Sequence, residues 1–125
     1  MDKLHASELF NLYVEGWKEK NINKIITSID KDCVIVESHG PTYYGRENIH
    51  QWVNEWFDVN SIVIKWDIIS FHYDSGVGFC EWNFTCIVNE KEYNFLGASI
   101  VKYKNDKIAY LHEYRMTGKP YAWEG

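Results

Sequence analysis

A carboxylate at the end of an otherwise apolar strand is where proton-transfer chemistry would start in this sequence. Glu37 follows Cys33-Val34-Ile35-Val36, all of them apolar or Cys. Burial disfavours the charged form of a carboxyl group, raises its pKa and makes it a better proton acceptor near neutrality. Two readings stand: Glu37 faces a pocket, or it ends its strand facing solvent. Further along, Glu113 and Arg115 alternate on one strand face with Leu111. Arg115 is one of two arginines, the other being Arg46 at a helix start. A buried Arg needs a carboxylate partner, which Glu37 or Glu113 would supply, as a working constellation or as a structural salt bridge. His112 alternates to the face opposite Glu113, His72 sits at a strand end, and His39 reads as a surface turn residue.

Other chemistries are excluded by what is missing. No Cys/His spacing suits a metal, no Gly-rich segment would cradle a phosphate, and no nucleophile elbow is present, so neither metal nor cofactor is expected. Net charge is −5, from 13 Lys plus Arg against 18 Asp plus Glu, without a block of like charge. Counterion release needs clustered cations, so nucleic acid and anionic membrane surfaces are not expected partners. No apolar run reaches the length of a membrane span, and the N-terminus lacks a signal-peptide core, which gives a cytoplasmic expectation. Cys80 and Cys86 lie six apart on one strand, about 20 Å at ~3.3 Å per residue, too far for a disulfide. All three cysteines therefore read as buried, reduced thiols.

The 125 residues suffice for one domain, 1–125, with a real core. Leu9, Tyr13 and Trp17 fall at i, i+4 and i+8 in a helix over 5–19, which Asp2 or Ser7 would cap. Ile22, Ile25, Ile26 and Ile29 mark a second, short helix. The period then changes to a β-branched strand over 33–38, followed by turn chemistry at His39-Gly40-Pro41-Thr42. A third helix over 46–57 shows Ile49, Trp52, Val53 and Trp56 on one face. Runs at 62–73, 77–88, 92–103 and 107–116, joined by short polar turns, predict an antiparallel meander. Helices first and strands afterwards make the fold class α+β. The tail from Thr117 to Gly125 reads as an irregular strap across the surface.

That element order, with Asp32-Cys-Val-Ile-Val-Glu37 leading to Gly45-Arg-Glu-Asn-Ile49 and a last hairpin Tyr103-Lys-Asn-Asp-Lys-Ile-Ala-Tyr-Leu-His-Glu-Tyr-Arg115, resembles the nuclear-transport-factor-2-like superfamily. Its closest likeness is to the branch of SnoaL-like polyketide cyclases and ketosteroid isomerases, over about residues 5 to 116. The resemblance implies a cone: three N-terminal helices on a curved, mostly antiparallel sheet, with an apolar cavity between, and often a homodimer packed through the sheet. Function varies across such folds, so fold alone implies little chemistry. By this resemblance Glu37 stands where isomerases carry an Asp base, and Tyr13 where a tyrosine donates to a developing oxyanion; the other reading of Tyr13 is core packing. The second oxyanion donor's position holds Leu96, which cannot donate, so steroid isomerisation is not expected. Arg115 between Glu37 and Glu113 is similar to the acid–Arg–acid set of limonene-epoxide-hydrolase-like members, and Glu37 with His39 to the Asp–His pair of SnoaL-like cyclases.

The expected active set is therefore Glu37, Tyr13, Glu113 and Arg115. Trp17, Trp56, Trp82, Asn94, Leu96 and Leu111 are the expected ligand contacts. Aromatic residues make up 17% of the chain, and Trp17, Trp52, Trp56, Trp66 and Trp82 either line a cavity for a flat apolar ligand or fill the cone. The expectation is a homodimeric small-molecule-binding domain with cofactor-free isomerase, dehydratase or hydrolase chemistry; the rival is a non-catalytic binding or interaction module.

Overall fold

Capping and apolar spacing start the chain as expected. In the computed structural model, which describes all residues from Met1 to Gly125, α1 spans Lys3–Glu19. The Asp2 side chain accepts from the His5 backbone N–H at 2.9 Å, so Asp2 is the cap, while the Ser7 hydroxyl donates to the Leu4 carbonyl. Asn21 caps α2 (Ile22–Ser28) by accepting from the Lys24 N–H. Ile29 leaves the helix and opens β1 (Ile29–Val36), still fully buried. A turn closed by Gly40 N–H on the Glu37 carbonyl and Glu37 N–H on the Pro41 carbonyl leads into β2 (Thr42–Tyr44), a strand the turn residues before it conceal. Gly45, at φ 88°, then opens α3 (Arg46–Asp58).

Four strands follow: β3 (Ser61–Asp74), β4 (Val77–Val88), β5 (Lys91–Lys104) and β6 (Lys107–Arg115). The two residues of each connecting turn, Ser75-Gly76, Asn89-Glu90 and Asn105-Asp106, all have positive φ, as hairpins that follow the strand twist require. The sheet order is β2-β1-β6-β5-β4-β3, with β1 and β6 parallel and the other pairs antiparallel. The sheet curves without closing into a barrel, because β2 and β3 remain its edges. α1 and α3 fill its concave side with Phe10, Tyr13, Val14, Ile49 and Val53, against Ile35, Val101, Ile108 and Leu111 from the sheet. All three cysteines are buried and free, and burial pushes the Cys33 and Cys80 thiols up to about 12.

Gly97 lets this sheet carry a large indole. It pairs with Trp82 across β4 and β5, and a Cβ there would collide with the Trp82 ring and the Tyr114 carbonyl. The carbonyl belongs to β6 and cannot swing away. Gly97→Ala is expected to cost about 1–3 kcal/mol, the usual range for overpacking, read as a fall in urea midpoint. The C-terminal tail is not a strap: residues 116–125 form no helix or strand and every one is exposed. Its two large aromatics, Tyr121 and Trp123, find no partner in the core.

Candidate functional site

Parallel pairing of β1 with β6 builds the polar end of the site. Ile35 pairs with Leu111 on the concave face, and two residues further on stand Glu37, just past the end of β1, and Glu113 within β6. A period of two keeps both carboxyl groups on that face, beside one another. They open into a cavity of about 440 Å³. Its walls come from three directions: Trp17 on α1, Trp52 and Trp56 on α3, and Val63, Trp66, Trp82, Phe84, Cys86 and Val88 on β3 and β4. β5 adds Tyr93 and Phe95, and Arg115 with His39 stands among the polar residues. The indoles thus line a cavity rather than fill the cone.

The two carboxyl groups have different surroundings. Glu113 makes no ion pair, and burial first, then the charge of Glu37, push its carboxyl up to about 8. Part of its side chain still opens to the cavity. Glu37 accepts a 2.6 Å hydrogen bond from the Tyr43 hydroxyl, the length of a charge-assisted bond. Tyr43 is itself stacked on Trp52, with ring centroids 4.2 Å apart and planes 11° from parallel. Burial and this bond to Glu37 hold the Tyr43 phenol protonated well beyond its ordinary range. His39 Nδ1 lies 3.7 Å from the other Glu37 oxygen, but its side chain is 58% exposed against 22% for Glu37. The site therefore sets one carboxyl group, oriented by a phenol, beside another whose hold on its proton is strengthened by burial.

Of the expected active residues, Glu37, Glu113 and Arg115 meet at this cavity. Arg115 does not bridge the two carboxyl groups. Its guanidinium lies 5.1 Å from the Phe95 ring centroid, at the exposed mouth. Tyr13 is fully buried beneath the cavity, in contact with Phe10, Trp17 and Trp66, and its hydroxyl has no hydrogen-bond partner. Burial, and after it the nearby Glu113, raise its pKa. Tyr13 thus takes the core position that its helical spacing with Leu9 and Trp17 allows.

Among the expected ligand contacts, Trp17, Trp56 and Trp82 line the cavity, and the Trp82 indole N–H donates to Ser99 at 2.8 Å. Leu111 lies deeper, fully buried in the core. Asn94 and Leu96 stand on the convex face, where Asn94 donates to Thr85 Oγ1 at 2.6 Å. Counting inward from buried Val101 and Ser99 places Gly97, Phe95 and Tyr93 on the concave side, one residue out of register with the expectation. The strand conceals this because Leu96, Ala98 and Ile100 make its outward face apolar too. Tyr43 is the principal residue that sequence reasoning missed; the β-prone run Thr42-Tyr43-Tyr44 was its only signal. His112 faces outward as expected, its Nδ1 2.9 Å from the Tyr110 hydroxyl and its ring stacked on Tyr114.

The sequence model of a family described as the SnoaL-like domain matches residues 10–111. Among curated proteins, none matches the chain. Solved structures share the fold at low identity. A protein of ketosteroid isomerase-like fold from Catenulispora acidiphila, in complex with trimethylamine, has a TM-score of 0.73 at 19% identity over 86% of this chain and 84% of that one. An LEH-like epoxide hydrolase from M. tuberculosis reaches 0.82 at 10% identity over 91% and 84%. A candidate polyketide cyclase from Xanthomonas campestris reaches 0.74 at 13% identity over 90% of each chain.

Proposed function

The chain belongs to the SnoaL-like domain family, and on that premise we propose that its cavity binds a small, largely apolar molecule and carries out cofactor-free proton transfer on it. One observation carries this reading: two carboxyl groups side by side in an aromatic cavity, one of them held up to about 8. Paired titratable groups whose surroundings push their affinities for protons apart divide the acid and base roles between them. Glu37 takes a proton from carbon or water, with Tyr43 fixing which oxygen is free to do so. Glu113 gives its proton to the oxygen on which charge develops, and Arg115 orients the substrate at the mouth. Tyr13 supports the floor of the cavity. The related folds, among them a candidate polyketide cyclase, an LEH-like epoxide hydrolase and a protein in complex with trimethylamine, support small-molecule chemistry over a purely structural role.

The test is proton exchange. Wild-type protein, incubated in D2O with a panel of small cyclic and aryl ketones, is expected to speed α-hydrogen exchange over buffer, followed by NMR. A parallel panel of epoxides reports hydration. Ligands that bind without exchange or hydration would make this a binding module.

The same reading includes a homodimer. The convex face exposes Phe79 and Tyr114 around Ile100 and His112, which pair across β4, β5 and β6. A second copy would cover this apolar row. Sedimentation equilibrium is expected to give twice the chain mass, and Phe79→Glu to give a monomer; a wild-type monomer rejects the proposal.

A further inference from the structure

We infer that the cavity takes an organic cation, an alkylammonium group carried by its ligand; this rests on the binding reading above and names its ligand class. The charges come first. Glu37 and Glu113 face the cavity, yet neither pairs with a lysine or arginine. Glu37 has Tyr43 and, at 3.7 Å, the largely exposed His39. Arg115 sits over Phe95 at the solvent-facing mouth, where water screens it. The site thus holds the Glu37 carboxyl and the proton-holding Glu113 in low-dielectric surroundings, with no lysine or arginine paired to either. A positively charged ligand would supply the missing partner.

The walls select which cation. Five indoles line the space, and indole attracts cations more strongly than the other aromatic side chains do. The rings do not form parallel plates suited to a flat molecule. Trp17 meets Trp56 at 89° with centroids 5.3 Å apart, and Trp66 meets Trp82 at 76° and 6.0 Å. Faces turned at right angles make a box, which fits a rounded alkylated headgroup. A small metal ion would have to shed strongly held water against apolar walls that offer few ligand oxygens in return. An alkylated ammonium carries little such water.

Choline and its neutral isostere 3,3-dimethylbutan-1-ol separate charge from shape. Tryptophan fluorescence and calorimetry at neutral pH and fixed ionic strength are expected to show choline binding at least tenfold more tightly than the alcohol. The double variant Glu37→Gln/Glu113→Gln keeps the shape and is expected to lose most of that preference, while Trp56→Leu weakens choline more than the alcohol. Equal affinity for the two compounds, or no saturable binding of choline, overturns the inference. An undiminished preference in the double variant puts the cation elsewhere and overturns it as well. Because the readout is binding at equilibrium, a protein that selects choline but exchanges no protons would sink the acid–base reading and leave this one standing.

Discussion

Glu37→Gln is expected to lower the proton-exchange rate by about 10²–10⁴-fold, the usual contribution of a positioned general base. The effect should fall on kcat, because the amide fills the same volume and leaves the aromatic walls in place. It should hardly touch stability. Gln keeps an oxygen that accepts from the Tyr43 hydroxyl, and Tyr43 stays anchored by its stack on Trp52. Urea unfolding of the variant should therefore stay within about 1 kcal/mol of wild type, the scale of one ordinary hydrogen bond. A rate that survives the substitution removes Glu37 from the chemistry. A large fall in stability with no loss of rate per folded molecule would make Glu37 a structural acceptor for Tyr43.

That prediction rests on a part of the site legible in the sequence. The apolar run before Glu37 and the alternation of Leu111, Glu113 and Arg115 set both acidic groups on inward faces, and parallel pairing of β1 with β6 brought them together. Helices were legible because apolar spacing of three and four has one burial solution, and Trp17, Trp52 and Trp56 followed from it. β5 was not. Tyr93 to Val101 is apolar on both faces, so a period of two could not tell inside from outside, and Asn94 and Leu96 exchanged places with Tyr93 and Phe95. Arg115 failed for another reason. A guanidinium near two acidic groups suggests an ion pair, but at the strand's open end an aromatic face competes and the charge stays hydrated. Tyr43 lay in a three-residue strand, too short for any period to show.

Glu113→Gln should reshape the pH dependence of stability. The folded protein holds the Glu113 proton up to about pH 8, whereas the unfolded chain releases it near 4.5. Between those values the native state binds more protons than the unfolded state, so raising pH through this window lowers the free energy of unfolding. The slope approaches about 1.4 kcal/mol for each pH unit, a few kcal/mol across the window. Below 4.5 both states carry the neutral acid and no penalty remains; above 8 the whole penalty is present. Glutamine cannot ionise, so the variant should lack this decline. It should match wild type near pH 4 and exceed it at pH 9, with wild type losing several degrees of Tm relative to the variant over that span. Glu37, whose charge adds to burial in raising Glu113, stays in place in both proteins. Parallel stability curves would mean that Glu113 is ionised and solvated, and would remove the acid from the proposed pair. A divergence confined to this window would show that the fold gives up stability to keep a proton beside Glu37, an expense that packing alone does not require and that proton transfer does.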